Sequence, residues 1–383
     1  MGTLRLLLAL SVAIDHAGGL FGYLMIGGVS AVQTFYLISG FLIAHILSTK
    51  YPPDTWEGRW LFYSNRALRI FVPYWFVLAA TIAACLVSYW LIGDAAVLTS
   101  WLDRFAGLNL PAKLFIVADN LLIFGQDASL WMMADGHLSF AYDPLMTIGN
   151  AIAFNIVAPA WSLALELTFY LVAPYLARCR TKTLVLIYVA TQVARFSLYG
   201  AGLNNSALTY RFFPLELGLF VLGMLGQRLY QALAPLPERL TTPVTIAVLI
   251  AVLSLMHVAT LRSHPHIFYI IVAVTLPSLF SFTKTRPWDR WLGELSYPLY
   301  LIHWPVEQII LATDPAALPT GGWFAVMSVA ISMALSVLLL TTVITPLDRW
   351  RSQRVGTPQR LIAMVEDDPD SRAHLRPVPA ADR

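Results

Sequence analysis

The chain is poor in the residues that make a soluble surface. Charged residues are 12% of its 383 positions and hydrophobic ones 58%, where an ordinary soluble domain is about 25% charged. With a mean hydropathy of +0.66, there is too little polar surface to cover a globule. Cysteine is nearly absent: Cys85 and Cys179 make neither a disulfide framework nor a metal site. Also missing are a Gly-x-Gly-x-x-Gly loop, a Walker sequence, His-Glu-x-x-His and Cys-x-x-Cys, so nothing supports nucleotide hydrolysis or zinc chemistry. A serine nucleophile elbow is lacking too. No metal and no nucleic-acid partner are expected. The sequence shows no internal repeat, which weakens any reading as a transporter built on inverted repeats.

What the sequence has is long apolar runs. A membrane span needs about 20 mostly apolar residues, and ten segments qualify: roughly 4–21, 27–48, 68–93, 157–177, 183–200, 212–230, 243–260, 267–283, 296–313 and 321–346. The first run passes into Asp15-His16-Ala17-Gly18-Gly19, which reads as a helix end rather than a signal-peptide cleavage site. The expected fold is therefore all-α, a polytopic bundle of about ten transmembrane helices in a lipid bilayer. An even count with the N-terminus inside places both termini in the cytoplasm. The positive-inside rule agrees: of 25 Lys and Arg, only Arg104, Lys113, Arg211 and Arg262 fall on the far side, and Arg195 falls within a span. Residues 1–348 form the expected membrane unit. Its long extracytoplasmic connection, 94–156, is acidic and aromatic, and it suits a lid, a glycan-binding element or a partly ordered surface loop. Residues 349–383, polar and carrying Pro358, Pro369, Pro377 and Pro379, read as a disordered cytoplasmic tail.

Ionisable side chains interrupt these runs: His16, Glu166 and His303. Each costs roughly 2.5–3.5 kcal/mol at bilayer depth on insertion scales, so each is a functional candidate. Arg5 and His16 lie within about 20° of one helical face, with a rise of roughly 16 Å between them. The stripe thus carries a cation at one mouth and a potential general base toward the other side. An interfacial histidine and an ordinary anchor fit the same spacing. Arg66 and Arg69 share a face at i and i+3, where paired guanidinium groups suit phosphates and equally suit anchoring. Ser162, Glu166 and Tyr170 form a stripe at i, i+4 and i+8, and Ser296, Tyr300 and His303 another; both also fit hydrogen bonding between helices. A carboxylate at position 166 needs a proton or a cation, with Arg195, Arg5 or a protonated histidine as candidate partners.

Taken in order, these segments resemble acyltransferase family 3, multi-pass membrane proteins that transfer acyl groups from acyl-CoA. Arg5 to His16 is similar to that family's first-helix Arg…His pattern, and Phe35-Tyr36-Leu37-Ile38-Ser39-Gly40-Phe41 to its second-helix run. Arg66-Ala67-Leu68-Arg69 followed by Pro73-Tyr74-Trp75 resembles its Arg-x-x-Arg motif. Trp161-Ser162-Leu163 with Glu166, and Ser296-Tyr297-Pro298-Leu299-Tyr300-Leu301 with His303, resemble two later elements. Where the second-helix motif usually reads Gly-Val-Asp, this chain has Ala31-Val32-Gln33. The resemblance covers about residues 4–346. It implies His16 as catalytic base, assisted by Glu166, and Arg5, Arg66 and Arg69 as ligands of cytosolic acyl-CoA, acetyl-CoA being the commonest donor. It also implies that Ser39, Trp161, Ser162, Tyr300 and His303 surround the substrates, with His303, Tyr300 or Ser162 as oxyanion donors. The expected acceptor is a hydroxyl of an envelope or exported glycan, with O-acetylation at the bacterial inner membrane. Oligomeric state stays open. The alternative from another class is a proton-coupled transporter or flippase of a glycan or lipid.

Overall fold

The computed structural model describes residues 1–51, 55–143, 147–233, 265–313 and 322–355. Long helices dominate, as they must where no water is present to satisfy backbone N–H and C=O groups. In chain order they are α1 (Gly2–His16), α2 (Gly28–Thr49), α3 (Trp56–Ile92), the short α4 (Thr99–Asp103), α5 (Leu110–Leu122), α6 (Trp161–Arg178), α7 (Thr181–Gly200), the short α8 (Ser206–Tyr210), α9 (Phe213–Leu233), α10 (Pro265–Thr283), α11 (Pro287–Thr313), α12 (Gly322–Leu339) and α13 (Thr345–Val355). A π-helical turn, Leu340–Ile344, joins the last two. Among the described residues, seven helical segments are long and apolar enough to cross a membrane.

The structure refines several expected boundaries. The third helix starts twelve residues early, at Trp56 rather than 68, where Thr55 accepts a hydrogen bond from Gly58 N at 3.0 Å. This is an N-cap that the polar 55–60 stretch conceals from a hydropathy reading. The first helix is only 15 residues long. α11 reaches 27 residues but carries Asp289, Arg290, Glu294 and Glu307, so its hydropathy falls below that of an ordinary span. Residues 349–355, expected to begin a disordered tail, continue α13; the rest of that tail and the expected span 243–260 lie outside the described residues.

Small residues set the closest helix contacts, as in other membrane bundles. α1 and α11 run parallel: a Cβ on Gly2 would fall 1.6 Å from Asp289 O, and His16 meets His303 farther along. Asp289 holds the first turn of α1 by accepting from Gly2 N at 2.7 Å and Thr3 N at 2.9 Å. α2 crosses α9 at Gly40 and Gly223, where any Cβ would lie 1.9 Å from a backbone oxygen of the other helix. A buried polar network reinforces that crossing. Arg195 Nη2 pairs with Glu216 Oε1 at 2.9 Å, and Gln33 Nε2 donates to both Glu216 oxygens at 3.1 Å. Gln33 Oε1 in turn accepts from Tyr269 Oη at 2.6 Å. The partner of Arg195 is thus Glu216 rather than Glu166, and the amide at position 33, in place of the motif's acid, is what lets this side chain donate to a carboxylate.

Residues 94–143 and 147–156 fold into a cap of short helices and a two-stranded hairpin, β1 (Met132–Asp135) with β2 (His137–Phe140). The cap has its own core of Leu108, Ala112, Ile116, Ala134, Ala151 and Phe154.

Candidate active site

A cavity of about 660 Å³ enters the bundle between α1, α2, α3, α6 and α11. Arg5, Lys50, Arg66, Arg69, Lys284 and Arg290 line its mouth, and Phe35, Tyr36, Ser162 and Tyr300 its inner end. The three arginines singled out in two separate motifs therefore share one entrance. Arg66 Nε is buried without a hydrogen-bond partner. Behind it stands Arg351, 7% exposed and ion-paired with Asp348, close enough to Arg66 and Arg69 to feel their charge. α13 reaches this mouth because Arg354 donates to Ser64 Oγ at 3.3 Å and Asn65 Oδ1 at 3.4 Å. A tail read as disordered gave no sign of that contribution.

Glu166 sits midway along the cavity wall. Its Oε1 accepts from Ser39 Oγ and Tyr170 Oη, each at 2.6 Å, and Arg5 lies within electrostatic reach. Its hydrogen-bond partners are therefore these two hydroxyls; of the candidate partners, Arg195 pairs with Glu216 and His16 bonds His303, which leaves Arg5 as the nearby cation. Tyr170, on the same helix face, was legible from the i, i+4 spacing. Deeper in, the two predicted stripes meet: Ser162 Oγ and Tyr300 Oη are 2.7 Å apart, and both reach Pro159 O, at 3.0 and 3.2 Å. Ser296 Oγ bonds back to Gly293 O at 2.7 Å within its own helix, though it still lines the cavity.

Beyond Tyr300 the cavity stops, and the histidines begin. His303, 1% exposed, stacks on His16 with ring centroids 5.1 Å apart and Nε2 at 2.9 Å from His16 Nδ1. Trp304 meets the His16 ring edge-on at 5.2 Å. The other nitrogen of His303, Nδ1, lies 3.2 Å from Leu299 O. A carbonyl only accepts, so Nδ1 carries hydrogen. With both rings neutral, His303 Nε2 is then an acceptor, and His16 Nδ1 must be the donor to it. That leaves the lone pair of His16 on Nε2, and His16 is exposed at this end of the bundle. His303, expected beside the substrates, is bonded to His16 and fixes its tautomer, an arrangement like that of the aspartate and histidine in a Ser-His-Asp triad.

Trp161, also expected at the substrate, is held under Arg211, whose guanidinium lies 4.9 Å from its ring centre and also bonds Tyr210 Oη. Arg211 is near enough to both His16 and Tyr300 to act on them electrostatically. Sequence reading passed over it as one of four stray far-side cations. Glu307 was passed over too. It follows His303 by one turn of α11, is 2% exposed, and leaves Oε1 unpartnered. No group of three or more His, Cys, Asp or Glu gathers for a metal among the described residues.

A helical bundle with polar chemistry at membrane depth, a basic cavity on one side and an oriented imidazole on the other defines a membrane enzyme class rather than a soluble fold. The chain belongs to acyltransferase family 3, whose acyltransferase domain matches residues 2–341, nearly its whole length. No curated protein and no solved structure matches it.

Proposed function

We propose that this membrane acyltransferase moves an acyl group, acetyl in the simplest case, from cytosolic acyl-CoA to a hydroxyl on the opposite side of the bilayer. One observation carries this: three motif arginines share the mouth of a cavity whose inner end lies one helical turn from the His16–His303 pair. Arg66, Arg69 and Arg5 would bind the donor's phosphates, guanidinium groups being suited to bidentate phosphate contacts. The acyl thioester would extend past Glu166 toward Tyr300. The acceptor, a sugar hydroxyl of an envelope or exported glycan, would arrive at His16.

His16 Nε2 takes the acceptor's proton as its oxygen attacks the thioester carbonyl, giving a tetrahedral intermediate. Arg211 and the Tyr300 hydroxyl are the nearest groups able to stabilise the oxyanion. Collapse breaks the C–S bond, and the proton on His16 passes to the leaving thiolate, so the products are the O-acyl ester and free CoA. The Ser162–Tyr300 bond lies across the route, and its opening would admit the thioester only when a donor fills the cavity.

The test uses purified full-length protein in nanodiscs with radiolabelled acetyl-CoA and measures donor binding and CoA release. Arg66→Ala/Arg69→Ala should weaken donor binding by tenfold or more, since each charge-assisted bond contributes about 1.5–3 kcal/mol. His16→Ala should bind donor normally yet lose about 10²–10⁴-fold in turnover. Turnover surviving in His16→Ala overturns the base assignment. Wild type that binds no acyl-CoA of any chain length, while moving a glycan or lipid across the bilayer, points to the transporter instead.

A further inference from the structure

The cap grips α3 through two side chains. Tyr74 Oη donates to Asn120 O at 2.6 Å and accepts from Gln126 Nε2 at 3.1 Å, and Trp75 Nε1 donates to Leu121 O at 2.8 Å. Beside Tyr74 lies a patch of buried oxygen. Asp119, Gln126, Ser129 and Asn155 are 2%, 0%, 1% and 4% exposed, and hydrogen bonds chain them together. Gln126 Nε2 donates to Asp119 O at 3.3 Å, Ser129 Oγ to Gln126 O at 2.7 Å, and Asn155 Nδ2 to Ser129 Oγ at 3.1 Å.

The side-chain donors of this group are spent on one another's oxygens and on Tyr74, and three acceptors are left over. Asp119 Oδ1, Gln126 Oε1 and Asn155 Oδ1 are all buried without a partner. An amide oxygen shares its carbon with the amide nitrogen, so both amide oxygens stay within the cluster that their nitrogens hold. Asp119 Oδ1 also lies against the Gly125 backbone, 3.3 Å from where a Cβ would stand. Asp127 adds a second negative charge within electrostatic reach of Asp119. No Lys, Arg or His forms an ion pair with either carboxylate among the described residues.

Each unsatisfied buried acceptor costs about 1–3 kcal/mol, and three together call for a common partner. That partner must satisfy oxygen acceptors only and offset negative charge. A hard cation does both, and calcium accepts the irregular, all-oxygen geometry that mixed carboxylate, amide and carbonyl ligands give. Magnesium demands near-octahedral order and keeps its waters. We propose that the cap holds one calcium ion, ligated by the Asp119 carboxylate and the side-chain oxygens of Gln126 and Asn155, with Asp127 supplying further negative charge. A bound ion would join the C-terminal end of α5, the 125–129 turn and Asn155 into one unit behind Tyr74. The cap would then be fixed to the helix that carries Arg66 and Arg69.

The experiment uses full-length protein in nanodiscs, stripped with chelator and titrated with calcium chloride or magnesium chloride. Equilibrium dialysis with radioactive calcium gives the stoichiometry, and thermal unfolding gives the linked stability. The expected result is one calcium per chain, and a midpoint raised by several degrees by calcium and much less by equal magnesium. Asp119→Asn should weaken binding by tenfold or more and abolish the calcium-dependent shift. Asn155→Asp, which adds a charged ligand, should bind more tightly than wild type, so the test stands even if Asp119→Asn fails to fold. Wild type with no saturable binding at millimolar calcium overturns the site, as does Asn155→Asp binding no more tightly than wild type. An equal shift from both metals that persists in Asp119→Asn would show only generic ionic stabilisation and would also overturn it.

Discussion

At the scale of the residue, the most informative contact is the one between two histidines 287 positions apart. Each was visible in the sequence as an ionisable group in an apolar run. Their pairing was not, because periodicity assigns a face to a side chain and says nothing of what faces it. The same limit hid the partners of Glu166 and Arg195: spacing presented each as a buried charge in need of a counterpart, and only the fold chose between them. Arg211 escaped for another reason, since a single arginine beside a loop carries no pattern at all. His303→Ala should lower turnover by up to about 10⁴-fold, the loss that follows when the group orienting a triad imidazole is changed, with donor binding unchanged. His303→Gln, whose side-chain oxygen can still accept from His16 Nδ1, should recover part of that loss. Steady-state kinetics at fixed acceptor would check both, and unchanged turnover in His303→Ala would remove its positioning role.

At the scale of the element, polar pairs and small residues specify which helices meet. The Arg195–Glu216 pair is 3% and 0% exposed, and removing one partner strands the other. Glu216→Ala should therefore destabilise the fold by about 3–5 kcal/mol, whereas replacing both partners with leucine should cost much less. Thermal unfolding in detergent distinguishes the two outcomes. Gln33→Asp should also destabilise, because it sets a second carboxylate where an amide now donates. Among the described residues, the existence of the long helices was legible, since length and hydropathy are local properties. Helix ends were not: the N-cap at Thr55 and the continuation of α13 to Val355 depend on polar stretches that a hydropathy window discards. The cap was legible only as a long acidic and aromatic connection, because its small core is assembled from short segments with no sustained period.

At the scale of the whole molecule, the proposed orientation puts the arginine mouth in the cytosol and the cap outside. Ile148 is fully exposed on the cap, and Trp56, 68% exposed, opens α3 at the opposite end. In a background with Cys179→Ser, a membrane-impermeant maleimide should label Ile148→Cys in intact cells and Trp56→Cys only after permeabilisation. The reverse pattern would invert the molecule, and with it the assignment of donor and acceptor sides.

The separation of Arg5 from His16 along α1 has a consequence for the surrounding lipid. Eleven residues of helix rise roughly 16 Å, about half of a bilayer hydrocarbon core that is about 30 Å thick. In the proposed reaction the donor's phosphates are held at Arg5 and the acceptor arrives at His16, so that distance fixes how much of the bilayer the protein itself leaves between the two sides. Local thinning costs fractions of a kcal/mol per ångström, a small elastic penalty for bringing the two sides closer. On that reading membrane thickness sets how far the acceptor must descend, and the lipid acts as part of the wall of the site.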